Sequence, residues 1–183
     1  MRVRPEGAGD HHAVAEVHRQ AFGTRGAVVA ALVDALRAGD PSARGWVAED
    51  DGAVVGHALF SRSLLDAPRR LVEVQVLSPL GVRPDRQGQG IGTSLVRSGL
   101  RDLDERGVPV VFLEGDPRFY SRLGFRPGAD LGFRKPSLRI PDAGFQAAPL
   151  RAHERWMTGT LVYAAAFWEL DCVGLRDPGA DDA

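Results

Sequence analysis

Three glycines stand at alternate positions, Gly88, Gly90 and Gly92, in a short run that ends at Thr93. An apolar stretch typical of a strand precedes this run, and a stretch with helical spacing follows it. A backbone without side chains can turn several N–H groups toward one point, and a helix N-terminus adds positive partial charge there. The run therefore predicts a loop that binds a phosphate or a pyrophosphate. The alternative interpretation is a plain flexible turn.

Two common phosphate-binding motifs do not match this run. A Walker A loop requires a lysine directly before a serine or threonine, and no lysine stands near Thr93. A dinucleotide fingerprint requires G-x-G-x-x-G. Its third glycine would fall on Thr93 if the motif began at Gly88, and on Leu95 if it began at Gly90. The ligand of this loop is therefore expected to be a different phosphate compound.

The composition narrows the class of protein. The 183 residues are 44% hydrophobic and 26% charged, which is typical of one soluble domain with a sizeable core. The formal net charge of −1 gives no general attraction to nucleic acid or to an anionic membrane. No window approaches the ~18 apolar residues of a membrane span. Charged residues from Arg2 onward predict that there is no signal peptide.

Cysteine and histidine usage predicts a cytoplasmic protein without a bound metal. Cys172 is the only cysteine, so no internal disulfide can form, which suits a reducing cytoplasm. Its position near a polar C-terminus argues against a catalytic thiol. His11, His12 and His18 are not accompanied by a cysteine or carboxylate cluster that would complete a metal site.

Two segments together resemble a known superfamily. Gln87, Gly90 and Gly92, placed after a strand that ends in Leu-Gly-Val at residues 80–82, resemble the acyl-CoA signature of the GNAT superfamily of N-acyltransferases. Residues 119–125, Phe-Tyr-Ser-Arg-Leu-Gly-Phe, resemble the stretch that follows the fifth strand of that superfamily. The resemblance covers about residues 2–127, and the C-terminal part resembles a bacterial subgroup of single-domain members.

The resemblance implies an α+β fold in three layers. Its core is a mixed, mostly antiparallel, twisted sheet of about seven strands, with helices on both faces and with the fourth and fifth strands splayed apart. The strand-heavy, mixed order of elements also favours an α+β sheet with helices on both faces. We expect residues 1–176 to form one domain and residues 177–183 to form a disordered tail.

Local patterns place the glycine run between a long strand and a helix. Residues 71–82 alternate as a strand does, and Pro79 predicts a bulge because proline cannot donate to a sheet ladder. Residues 91–106 have helical spacing. Residues 108–114 have the pattern of a short buried strand.

Four further local predictions concern turns and short elements. Asp51-Gly52 predicts a tight hairpin between two strands. Asp10 is a plausible helix N-cap. Tyr120 is expected on a short helix, and residues 159–168 are expected to add a strand through which a homodimer could form.

By resemblance, the phosphate compound is acetyl-CoA, used as a co-substrate, and no metal is required. The backbone of Leu80, Gly81 and Val82 is expected to bind the pantetheine arm. Asp116 is expected to contact the same arm, although it also suits a turn before Pro117. The expected pyrophosphate ligands are Gln87, Gly88, Gln89, Gly90, Ile91, Gly92 and Thr93.

The resemblance also implies attack of a free amine on an acyl thioester. Tyr120 matches the superfamily tyrosine that protonates the departing thiolate, and a phenol with a pKa of ~10 can do this. A backbone N–H near Leu80 or Gly81 is the expected donor to the oxyanion. The base that deprotonates the amine is Glu73, Glu114 or water alone. Tyr120 could instead be a core aromatic residue, and Glu73 a solvated strand residue.

These observations predict an N-acetyltransferase that transfers an acetyl group directly from acetyl-CoA to a primary amine in a ternary complex. A non-catalytic acyl-CoA sensor and an interaction protein on the same fold are the alternatives. The acceptor stays open among an aminoglycoside, a polyamine, an amino acid, a peptide N-terminus and a protein lysine. We expect its pocket to involve residues 22–29, His57 and the C-terminal segment.

Overall fold

The computed structural model describes residues 1–174 of the chain. Nine strands and five α-helices lie within these residues, joined by turns and short 3-10 helices. The strands are β1 (Arg2–Pro5), β2 (Arg44–Asp50), β3 (Ala53–Asp66), β4 (Leu71–Val82), β5 (Val110–Glu114), β6 (Arg126–Pro127), β7 (Phe133–Arg134), β8 (Phe145–Pro149) and β9 (Gly159–Val162). The α-helices are α1 (His11–Ala21), α2 (Gly26–Gly39), α3 (Ile91–Glu105), α4 (Pro117–Tyr120) and α5 (Ala165–Glu169). None of the helices in the described part of the chain is both long and apolar enough to cross a membrane.

All nine strands belong to one sheet. The main path runs β1-β2-β3-β4-β5-β8-β6, and β9 lies between β3 and β7. The pairs β4–β5 and β7–β9 are parallel, and the other pairs are antiparallel. The fold class is therefore confirmed as α+β with a mixed, mostly antiparallel sheet, and β7 and β9 extend it beyond the seven strands expected.

Helices cover both faces of this sheet, as predicted. Val14 of α1 and Leu32 of α2 lie in one buried cluster with Leu59 of β3. On the opposite face, Leu95 of α3 lies in a second cluster with Phe60 of β3. Adjacent residues of β3 thus point into different layers because strand side chains alternate between the two faces. The burial of these apolar side chains is the main force that holds the three layers together.

The parallel strands β4 and β5 stay paired only briefly. Their register joins residues 75–76 of β4 to residues 111–112 of β5, and β4 then continues to Val82 without a β5 partner. On its other edge, β4 shifts register against β3 between Ala58 and Phe60, opposite Pro79. The splay and the bulge are therefore both confirmed. Together they leave one edge of β4 open over residues 77–82.

Local predictions hold where the sequence fixes the backbone directly. β4 has the predicted bounds, and α3 ends at Glu105, one residue before the predicted end. Asp51 and Gly52 have φ of 50° and 77°, which gives the tight turn predicted between β2 and β3.

Two local predictions are wrong. The Asp10 side chain does not cap α1, because it pairs with Arg4 and accepts a hydrogen bond from the Gly7 N–H. The strand expected at residues 159–168 ends at Val162, and α5 follows it. Alanine is a strong helix former, and the short helix buries Phe167 in the core.

Two expectations about the C-terminal part stay predictions. β9 pairs with β3 through residues 160–162 on one edge and with β7 through residues 159–160 on the other. The homodimer expected through this segment stays a prediction. The tail expected at residues 177–183 lies outside the described residues.

Candidate active site

The glycine run forms the turn between β4 and α3. Gly88 and Gly90 have φ of 75° and 79°, a left-handed conformation that side chains other than glycine rarely adopt. Gly90 lies directly before α3. Gly92 has ordinary φ, but a Cβ there would lie 3.4 Å from the ring of Phe119. Gly88 and Gly90 thus set the backbone shape of the loop, and a Cβ on Gly92 would lie in ordinary van der Waals range of Phe119 of α4.

The loop presents unused hydrogen-bond donors. The backbone N–H groups of residues 88–93 donate no hydrogen bond to any residue that the structure describes. A cavity of about 530 Å³ opens in front of them, with Leu80, Val82 and Phe119 in its lining. Free N–H groups at the start of a helix carry positive partial charge. This arrangement suits an anion with several oxygen atoms.

Side chains hold the loop in place and add positive charge. The Gln87 Nε2 donates to the Val82 carbonyl at 3.1 Å, which ties the loop to the end of β4. Arg86 pairs with Asp50 at 2.7 Å and lines the cavity. Arg122 lines it as well. Sequence reasoning missed both arginines, because no motif spacing links them to the glycines.

The open edge of β4 supplies further polar backbone groups. The Arg83 N–H donates to the Val55 carbonyl of β3 at 2.9 Å. Bonded and non-bonded pairs alternate along an antiparallel ladder, and the register is continuous from here back to Leu80. Leu80 and Val82 therefore turn their backbone groups away from β3, into the gap beside β5. An extended ligand arm in this gap would meet those groups.

Tyr120 ends α4 beside this gap. Its ring packs edge-on against Phe119 and Phe125, with centroids 4.8 and 5.7 Å away. A Cβ on Gly115 would lie 2.3 Å from the Tyr120 Cε2, so only a glycine leaves room for this ring. Burial raises the pKa of Tyr120 to about 12, so the phenol stays protonated at neutral pH. Sequence reasoning missed Gly115, whose role depends on a packing contact.

A second cavity, of about 350 Å³, opens next to Tyr120. Its walls are the turn between α1 and α2, the β4 bulge and the C-terminal segment with Tyr163 and Phe167. Glu114, the last residue of β5, is the one carboxylate among the described lining residues. We call this space the acidic pocket, and the first cavity the glycine-loop groove.

Two hydrogen bonds orient the Glu114 carboxylate. The Tyr163 hydroxyl donates to its Oε1 at 2.7 Å, and the Gly174 N–H donates to its Oε2 at 3.0 Å. Burial raises the pKa of Glu114 above its usual value, against the effect of these two donors. Each carboxylate oxygen keeps a second lone pair that can accept a proton or a hydrogen bond. Glu114 can therefore act as a positioned base.

The two cavities meet at one residue. Leu80 lines both the glycine-loop groove and the acidic pocket. The neighbouring residues Phe119 and Tyr120 of α4 line one cavity each, Phe119 the groove and Tyr120 the pocket. A group carried along β4 from the groove would thus reach Leu80 with Tyr120 beside it and Glu114 in the adjoining space.

Comparisons with known proteins agree with this geometry. A family model described as an acetyltransferase (GNAT) domain matches residues 2–128. The chain belongs to the GNAT acetyltransferase family. The uncharacterized N-acetyltransferase YjhQ of Escherichia coli (strain K12) is 36% identical over 129 residues, which are 67% of this chain and 68% of that protein.

Two crystal structures of GNAT proteins resemble the whole domain. One is YhbS from Escherichia coli in complex with CoA, with a TM-score of 0.81, 31% identity and 91% of each chain covered. The other is a GNAT family acetyltransferase from Brucella melitensis in complex with acetyl-CoA, with a TM-score of 0.73 and 32% identity. That match covers 91% of this chain and 97% of the other. The GNAT fold therefore extends beyond the part covered by the family model.

The structure of this GNAT protein leaves four of the predicted site residues outside the described lining of both cavities: Glu73, Gly81, Gln89 and Asp116. Glu73 has a side chain 66% exposed and pairs with Arg62, far along β4 from Pro79. The Asp116 carboxylate accepts a hydrogen bond from the Arg118 N–H at 2.9 Å and so caps α4. Glu73 thus has the solvated position that was its alternative interpretation, and Asp116 has the turn position. Of the two carboxylates considered as a base, only Glu114 lies with Tyr120.

His57 also does not line the acidic pocket. It is fully buried, and its Nδ1 lies 2.7 Å from the Nε2 of His18, which is buried as well. Its Nε2 lies 3.4 Å from the Glu6 carboxylate, which pairs with Arg37. A Cβ on Gly81 would lie 2.7 Å from the His18 Nδ1. This buried polar chain therefore packs directly against the backbone of β4 behind the site.

No cluster of three or more His, Cys, Asp or Glu side chains is arranged for a metal ion among the described residues of the GNAT domain. The free thiol of Cys172 lines the acidic pocket, and burial raises its pKa. A raised pKa keeps the thiol protonated, and the thiolate is the nucleophilic form. The site therefore offers an acid and a base but no activated thiol.

Proposed function

We propose that this chain transfers the acetyl group of acetyl-CoA to a primary amine in a ternary complex. One observation carries the proposal: the glycine-loop groove and the acidic pocket meet at Leu80, with Tyr120 and Glu114 on the pocket side. The groove suits the donor and the pocket suits the acceptor. CoA and acetyl-CoA in the two similar crystal structures support the choice of donor.

In this proposal the residues of the groove bind the donor. The N–H groups of residues 88–93 hold the pyrophosphate, and Arg122 adds positive charge beside it. The charge of Arg86 is balanced by Asp50 and Asp85. The backbone of Leu80 pairs with the pantetheine arm in the gap beside β5. The Val82 carbonyl already accepts from Gln87, so it has one lone pair left for the arm.

The acidic pocket prepares the amine. An alkyl ammonium has a pKa of about 10.4 in water and cannot attack while it is protonated. Glu114 accepts one of its protons, because its raised pKa makes it a stronger base than an ordinary glutamate. The Tyr163 hydroxyl holds the carboxylate in position for this transfer.

Tyr120 completes the reaction. Bound acetyl-CoA supplies an activated thioester. The amine nitrogen forms a C–N bond with its carbonyl carbon as the C–S bond breaks. The Tyr120 phenol gives its proton to the departing sulfur, which leaves as the thiol of CoA. The nitrogen loses its second proton as the amide forms, and this proton returns through solvent to the Tyr120 phenolate. Glu114 releases the first proton to solvent, so one proton is released per cycle. The backbone N–H near Leu80 faces the carbonyl oxygen as negative charge develops there.

Isothermal titration with acetyl-CoA and CoA tests the donor site. Gly90→Glu places a side chain and a negative charge in the left-handed residue before α3, and we expect it to abolish micromolar binding. Gly107→Glu is the matched control, because Gly107 has φ of 77° and open space around it just after the end of α3. Equal affinity for the protein and for Gly90→Glu would contradict the donor site.

Thiol release in the presence of amines separates an enzyme from a sensor. An enzyme releases CoA only when an amine acceptor is added. A non-catalytic acyl-CoA sensor binds acetyl-CoA with the same Gly90 dependence but releases no thiol with any amine.

We also propose that the protein acts in the reducing cytoplasm.

A further inference from the structure

Arg25 stands at the mouth of the acidic pocket. It lies in the turn between α1 and α2, it is exposed, and it lines the same cavity as Glu114. Its Nη2 donates to the Asp171 carbonyl at 3.0 Å and lies 3.9 Å from the Cys172 Sγ. Its Nε and Nη1 donate to no residue that the structure describes. Among the residues that the structure describes, the guanidinium is thus anchored through Nη2 alone.

The backbone that carries Arg25 is held tightly. The Arg25 N–H donates to the Phe22 carbonyl at 3.1 Å. A Cβ on Gly26 would lie 2.4 Å from the Arg19 carbonyl oxygen, so the start of α2 touches the backbone of α1. A close helix–helix corner of this kind has little freedom to move. The backbone of Arg25 is therefore part of a packed corner, and the hydrogen bond to the Asp171 carbonyl holds its guanidinium.

Two charged side chains of opposite sign stand in the described lining of the acidic pocket. Glu114 is the carboxylate among these residues, and Arg25 is the cation. Much of the remaining wall is apolar, from Phe22, Val29 and Phe167. A volume of about 350 Å³ lies near the lower end of the range for small-molecule sites. The pocket is therefore complementary to a small ligand with one positive group, one negative group and an apolar body.

We infer that the acceptor is a small amino carboxylic acid with an apolar body, whose amine meets Glu114 and whose carboxylate meets Arg25. This inference rests on the proposed function. A polyamine or an aminoglycoside would bring a second ammonium toward Arg25 and an apolar wall, with no carboxylate to receive it, which opposes binding. A lysine side chain on a protein would bring no anionic group to Arg25. A guanidinium binds a carboxylate through Nε with Nη2 or through Nη1 with Nη2. Nε and Nη1 of Arg25 donate to no described residue, so each of these edges keeps a donor for a carboxylate oxygen.

The experiment compares each amino acid with its decarboxylated amine. The full chain and acetyl-CoA are incubated with valine, leucine, methionine, phenylalanine and straight-chain ω-amino acids of three to six carbons, each beside the amine that lacks the carboxyl group. Spermidine, kanamycin and an N-blocked lysine peptide complete the panel. Thiol release gives kcat/KM for each acceptor, and the best ω-amino acid reports the span between Glu114 and Arg25.

The variant Arg25→Gln separates carboxylate recognition from amine basicity. We expect it to lower kcat/KM for the best amino acid about tenfold to a hundredfold, the usual effect of losing a hydrogen bond to a charged group. For the matched decarboxylated amine we expect a change below threefold. Arg19→Gln is the control, because Arg19 pairs with Glu16 on α1 outside the pocket. It removes the same charge from the same helix corner.

Three outcomes would overturn the inference. One is a higher kcat/KM for a polyamine, an aminoglycoside or the lysine peptide than for every amino acid. Another is an equal loss with amino acid and decarboxylated amine in Arg25→Gln, which would make Arg25 structural. The third is an equal effect of Arg19→Gln. Failure of every amine to release thiol, despite Gly90-dependent binding of acetyl-CoA, would instead contradict the proposed function.

Discussion

The Tyr163 hydroxyl donates a 2.7 Å hydrogen bond to Oε1 of Glu114, although the two residues lie 49 positions apart in the chain. Glu114 ends β5, and Tyr163 follows β9, which belongs to the C-terminal segment that closes on β3. This contact joins the central sheet to the part of the chain that builds the acidic pocket. It also gives the carboxylate a fixed direction.

The contact leads to a prediction about the pH dependence of activity. Glu114→Gln removes the base, and we expect kcat to fall by about 10²–10⁴. In Tyr163→Phe the carboxylate loses a donor that stabilises its charged form, so the pKa of Glu114 rises further. Activity requires the ionised carboxylate and grows as pH rises through this pKa. The acid limb of the pH profile should therefore move to higher pH in Tyr163→Phe, and an unmoved limb would exclude Glu114 as the base.

A second prediction concerns Tyr120. Tyr120→Phe keeps the ring that packs against Phe119 and Phe125 but removes the proton donor. We expect kcat to fall by about 10²–10⁴ while the affinity for CoA stays within twofold of the parent value. The measurements are steady-state kinetics and titration with CoA. An equal loss of kcat and of CoA affinity would show that Tyr120 has a structural role only.

Gly115 supplies a third prediction. In Gly115→Ala the added Cβ would lie 2.3 Å from the Tyr120 ring, so the ring must shift from its present position. We expect a loss of kcat approaching that of Tyr120→Phe, because a small displacement of a catalytic group is costly. Gly39→Ala is the control, since Gly39 has open space around it at the end of α2. The two changes in Gly115→Ala/Tyr120→Phe should not add, because both act through one phenol.

The His18–His57 contact predicts acid sensitivity of the fold. Burial, together with the charges of His57 and Arg37, lowers the pKa of His18 to about 3, and burial also lowers the pKa of His57. The unfolded chain therefore binds more protons than the folded chain as pH falls below about 6.5. The stability linked to His18 is fully present above that pH and is lost between it and about pH 3, by up to about 1.4 kcal/mol per pH unit. The lowered pKa of His57 acts in the same direction.

Urea unfolding between pH 4 and 8 tests this linkage. His18→Gln keeps a neutral donor toward His57 and removes one titrating group, so we expect a shallower fall in the free energy of unfolding. His12→Gln, an exposed histidine on the same helix, is the control. Parallel pH profiles for His18→Gln and the unmodified protein would contradict the linkage.

Loss of the His18–His57 chain should also change CoA affinity, because His18 supports the backbone of Gly81.

Neighbouring residues alone were sufficient to predict the local parts of the structure. The glycines at positions 88 and 90 predicted a loop of free N–H groups, because only glycine adopts the required φ at little cost. The alternation over residues 71–82 gave the bounds of β4, and Pro79 gave its bulge. Asp51-Gly52 gave the hairpin turn for the same local reason. The order of these elements, with the resemblance, was enough for the fold class.

The choice of side chains that meet in the site depends on the packing of distant segments. Glu73 lies within β4 and Glu114 ends β5, and the sequence around them does not show which one faces the site. In the structure Glu73 is exposed at the surface, whereas Glu114 lines the acidic pocket. The pairs Glu114–Tyr163 and His18–His57 join residues 49 and 39 positions apart, and no local pattern encodes such distances. Arg25 becomes part of the site only because α1 and α2 pack on the face of the sheet where β4 splays from β5. Short-range propensity determines where helices and strands form. Burial of their apolar faces then determines which of them become neighbours.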